Sequence, residues 1–97
     1  MSQNPTEEDI LMEAHRITGG DRNEDYGDPS EEFARVSNLW NSMLNTDIIE
    51  PRHVPMMMIL LKVSREMNKP KRDNAVDMAG YARCLDLCNT GKAATHE

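Results

Sequence analysis

A chain of 97 residues that is 38% hydrophobic is one domain of ordinary size, with a core thin enough to gain from a partner chain. One Trp, two Tyr and one Phe against eight Met leave that core to aliphatic and thioether side chains, which suits helices better than a β-sandwich. A formal charge of −6 excludes general nucleic-acid coating, which rests on Lys and Arg displacing phosphate counterions, so only a local basic site is left for phosphate.

Thr6 is placed to cap a first helix through Glu7, Glu8 and Asp9, with Ile10, Leu11, Ala14 and Ile17 as its apolar face and Gly19 and Gly20 as its end. The stretch GGDRNEDYGDP, from Gly19 to Pro29, is dense in turn formers and reads as a loop. Asp28 then caps a second helix with Pro29 at its first position, and Glu31 and Glu32 suit the N-terminal dipole. That helix is expected to run to about Leu44 and to bury Phe33, Val36, Trp40 and Met43.

After a second turn, NTDIIEPRHVP, the run from Met56 to Leu61 is apolar on every side, which predicts a central buried helix or one facing a partner chain. Lys62, Ser64, Arg65 and Glu66 turn it polar, and Pro70 stops it. Asp73 is read as the cap of a fourth helix, about Asp73 to Asn89, that Gly91 ends. The whole is expected to be an all-α bundle of about four helices in a single domain over residues 1–97, with flexible ends at about 1–5 and 91–97, oligomeric through the Met-rich third helix.

No charged-then-apolar leader precedes a small-residue cleavage site, and the apolar run from Val54 to Leu61 is too short to span a bilayer, so a soluble cytoplasmic protein is expected. Cys84 and Cys88 lie four apart instead of forming a disulfide framework and read as free thiols. No Cys and His spacing resembles a tetrahedral zinc site.

The chemistry gathers near the third and fourth helices. Lys62 and Arg65 share a helical face, Lys69, Lys71 and Arg72 follow, and together they suit phosphate. The same charges also fit a solvated helix C-terminus, where the dipole favours cations. Asp73 and Asp77 lie one turn apart, as two carboxylates sharing Mg²⁺ would, and Tyr81 continues their face. Alternatively, the acids and bases form an ion-pair lattice between the two helices. In the glycine-flanked loop, Arg22, Asp25 and Tyr26 are candidates to approach a ligand, with Tyr26 stacking on a base or plugging the core edge. Glu66 is the candidate general base should water attack a phosphoanhydride.

The motifs D-Y-G (Asp25, Tyr26, Gly27), K-x-x-R-E (Lys62, Arg65, Glu66) and R-D-N-x-x-D-x-x-G-Y (Arg72, Asp73, Asn74, Asp77, Gly80, Tyr81) resemble those of a family of small phage and prophage proteins. The pattern is also similar to a phage nucleotide-modification-associated helical domain and, more distantly, to the MazG-type all-α nucleotide pyrophosphohydrolases. The resemblance implies a nucleotide or other phosphorylated small molecule as ligand, Mg²⁺ as cofactor, a phage context in a host cytoplasm, and Asn74 among the ligand-binding residues. It departs from the hydrolase pattern where Glu31 and Glu32 are followed by Arg35 and only Asp73 and Asp77 form a spaced pair. Sequestration of a nucleotide without turnover, or a structural module, are the alternatives carried forward.

Overall fold

The computed structural model describes residues 8–21 and 27–90. Among these there are no strands: α1 spans Ile10–Arg16 and continues as a π turn over Ile17–Asp21, and α2 (Pro29–Leu44), α3 (His53–Asn68) and α4 (Arg72–Thr90) follow. The all-α expectation therefore holds. Thr6, Gly91 and the expected flexible ends lie outside the described residues.

Local chemistry explains most boundaries. Asp9, rather than the expected Thr6, is the N-cap of α1, accepting from the Leu11 N–H at 2.8 Å. Asp28 caps α2 as expected, taking both the N–H and the hydroxyl of Ser30 at 2.9 Å, with Pro29 in the first turn. That helix ends at Leu44, and Asn45 adopts the left-handed conformation that closes it, φ 55°. Asn41 then clamps the following loop. Its side chain donates to the Ile49 carbonyl at 2.9 Å and accepts from the Ile49 N–H at 3.0 Å, and so sets the approach to α3.

Three expectations are corrected. Gly19 and Gly20 do not stop the first helix, because the chain winds on through both as a π turn. Thr18 anchors that turn: its hydroxyl donates to the Ala14 carbonyl at 2.6 Å and accepts from Arg83 Nη1 on α4 at 3.0 Å. Met43 is 83% exposed and not in the buried stripe of α2, whose inward residues are Pro29, Phe33 and Ser37 with Val36 and Trp40 beside them. The central helix is α4, which packs against α1, α2 and α3, and not the Met-rich α3.

The core follows from α4's spacing. Val76, Gly80 and Cys84 recur every fourth residue and are buried, with Cys88 half-buried behind them. Phe33, Val54 and Cys84 form the buried centre, flanked by Trp40, Met58 and Tyr81. Both cysteines are free thiols. Gly80 is needed where α4 crosses the π turn, since a Cβ there would sit 3.1 Å from the Thr18 γ-methyl.

Candidate functional site

The turn between α3 and α4 carries a cleft of about 540 Å³ lined by the last turns of α3, the connection, and the first turns of α4. Lys62, Arg65, Lys69 and Lys71 supply four cations against two carboxylates, Asp73 and Asp77, so the cleft is locally basic on an acidic chain. Arg65 sits in the last turn of α3, where the C-terminal dipole favours a cation.

The charges are not equally committed. Lys62 Nζ meets Asp77 Oδ2 at 2.8 Å, with side chains 14% and 32% exposed, which makes this a half-buried bridge between α3 and α4. Among the described residues, no acceptor takes the side chains of Arg65, Lys69 or Lys71, and Asp73 holds no cation. Asp73 also stands one residue inside α4, whose first residue is Arg72, and not at the expected capping position.

The start of α4 is secured by Glu66. Its Oε1 accepts from the Lys71 N–H and from Asn74 Nδ2, each at 3.0 Å, and these bonds, the one to Asn74 foremost, hold its carboxyl below the ordinary 4.5. A carboxylate stabilised in this way is a weaker base than a free one. It does not line the cleft, so the geometry makes Glu66 a clip across the turn.

Asn74 does line the cleft and is only 6% exposed. The Glu66 carboxylate is acceptor-only, which fixes the Asn74 amide nitrogen toward it and turns the amide oxygen the other way. Among the described residues no donor reaches that oxygen. A nearly buried acceptor beside unpaired cations is a feature the sequence did not disclose, and neither were Ser64 and Asn68 as lining residues.

Two of the predicted ligand residues lie elsewhere. Arg72 turns away from the cleft to α1, where its guanidinium pairs with Glu13 and also donates to the Glu8 carbonyl. Tyr81 packs on the core, its ring centroid 6.5 Å from that of Phe33. Arg22, Asp25 and Tyr26 lie outside the described residues. No group of three or more His, Cys, Asp or Glu side chains among the described residues forms a metal cage. Of the expected metal-binding pair, Asp77 holds Lys62, and Asp73 pairs with no cation among the described residues.

Fold and cleft together define a small helical domain with a basic cleft at one helical turn. By its sequence the chain belongs to the family described as a domain of unknown function, DUF6378, whose model matches residues 9–89. It is 42% identical over 78 residues to the Gene 55 protein of Mycobacterium phage L5, covering 79% of this chain and 50% of that protein. It is 40% identical over 80 residues to the Gene 55 protein of Mycobacterium phage D29, covering 81% and 52%. The chain thus spans about half the length of these curated relatives, and the family has phage-encoded members. No solved structure matches it. No helix among the described residues is long and apolar enough to cross a membrane.

Proposed function

We propose that the α3–α4 cleft binds a small phosphorylated molecule, a nucleotide in the first instance, without hydrolysing it. The observation that carries this reading is the set of unpaired cations, Arg65, Lys69 and Lys71, at a concave site on a chain of net charge −6. Cations that only served solubility would be costly to gather so closely, and a phosphate offers each of them the charge-assisted bonds that the protein withholds. The Asn74 amide oxygen supplies a neutral acceptor for an N–H or O–H of the same ligand, such as those of a nucleotide's base and ribose.

Mg²⁺ would arrive with the ligand's phosphates, its usual mode of binding, with Asp73 as the available carboxylate. Turnover is not part of the proposal, because Glu66, the candidate base, is occupied by Lys71 and Asn74. For three of the predicted residues a structural role is the better reading: Lys62 with Asp77, and Arg72 with Glu13, tie helices together.

Thermal unfolding with a panel of nucleotides, inorganic phosphate and pyrophosphate, with and without Mg²⁺ and with product followed in parallel, tests the reading. A ligand at about a hundredfold above Kd adds about 2.7 kcal/mol, a plainly measurable shift. Arg65→Met is expected to keep the unliganded Tm and lose the shift, since Arg65 has no described protein partner to lose. Absence of any shift across the panel, or a shift that Arg65→Met leaves intact, would refute the proposal, and product formation would overturn its non-hydrolytic part.

A further inference from the structure

Away from the cleft, α3 presents an apolar face to solvent. Met56, Leu60, Val63 and Met67 recur at spacings of four, three and four residues, the spacing of a coiled-coil seam, and are 40, 66, 39 and 82% exposed. Met57, at 43%, borders this side, whereas Leu61 lies around the helix near Val54. Val54 and Met58, half a turn around the helix, are the residues that face the chain's own core. The seam holds no charged residue.

We infer that this face pairs with the same face of a second copy, antiparallel about a two-fold axis that crosses α3 between Leu61 and Lys62. An interface of this symmetry must be complementary to itself, and the seam is: rotation about that point sets Met56 against the partner's Met67 and Leu60 against the partner's Val63. The unbranched methionines at both ends fill the gaps where the helices diverge. Parallel pairing would instead set the two cationic turns, each with Lys69 and Lys71, side by side.

The area sets the strength. With roughly 100 Å² of apolar surface per large aliphatic side chain, the four seam residues and Met57 at these exposures contribute about 270 Å² per protomer. At the apolar fraction usual for interfaces this corresponds to about 900 Å² in total, within the size range of weak, transient associations. An interface of this size belongs with reversible associations and not with obligate dimers.

Sedimentation equilibrium from micromolar to near-millimolar protein tests this. The unmodified chain is expected to shift from monomer to dimer across that range, while Leu60→Lys, at a position already 66% exposed, keeps its helical circular dichroism and stays monomeric. In a Cys88→Ser background, Leu60→Cys mixed with Val63→Cys is expected to give the mixed disulfide. A chain that remains monomeric throughout, a Leu60→Lys protein that still dimerises, or Leu60→Cys cross-linking to itself in preference to Val63→Cys would overturn the inference.

Discussion

Replacing Gly80 with Ala opposes two effects of similar size at the crossing of α4 and the π turn. Within a helix, Ala gains about 0.5–1 kcal/mol over Gly by restricting the unfolded chain. Against this, the new Cβ lies 3.1 Å from the Thr18 γ-methyl, closer than ordinary van der Waals contact. An extra methylene in a packed site costs about 1–3 kcal/mol when its neighbour cannot yield. Thr18 is poorly able to yield, because it is 4% exposed and its hydroxyl is held both by the Ala14 carbonyl and by Arg83. Packing wins by about 1 kcal/mol, which for a domain of this size lowers Tm by about 4–8 °C. Thermal and urea unfolding followed by circular dichroism measure it. Thr18→Ser keeps the hydroxyl and removes the methyl, so in that background Gly80→Ala is expected to reverse sign and stabilise by about 0.5–1 kcal/mol. A Gly80→Ala chain more stable than the parent, with Thr18 intact, would refute the reasoning.

Two other substitutions test the α3–α4 turn. The lowered carboxyl of Glu66 means that its clip contributes stability above its ordinary 4.5 and loses it as pH falls through the lower folded-state value, so the Tm gap between the parent and Glu66→Gln should be widest near neutrality and close in acid; a gap constant with pH contradicts this. Asp77→Asn strands the largely covered Lys62 ammonium and should cost about 1–2 kcal/mol, a fully buried pair's loss reduced for Asp77's exposure, whereas Lys62→Met should stay within about 1 kcal/mol in denaturant unfolding. Equal losses would mean that the bridge itself, and not the uncompensated charge, sets the cost.

What the sequence disclosed was what short-range chemistry decides. Asp28 before Pro29 fixed the start of α2 because a cap and its N–H donors are two residues apart, and Pro70 stopped α3 because a proline acts on its own neighbours. The π turn through Gly19 and Gly20 was not legible, since Arg83, which holds Thr18, lies 65 residues away. Nor does the sequence show that Arg72 leaves the cleft, because its partner Glu13 is 59 residues earlier. Met43 fits the helical period but is 83% exposed, and period alone does not say how far the neighbouring helices cover a stripe. Within the cleft, Lys62, Arg65, Lys69 and Lys71 were readable as a cluster because one turn gathers them, whereas the orientation of Asn74 depends on Glu66 across that turn.

The claim that the cleft is an anion site is tested most directly by amide NMR of the isotopically labelled chain titrated with ADP and, separately, with pyrophosphate. Saturable shifts gathered on Ser64, Arg65 and Lys69 through Asn74 with both ligands are the predicted result. Shifts scattered over the surface without saturation, or gathered away from the α3–α4 turn, would contradict it.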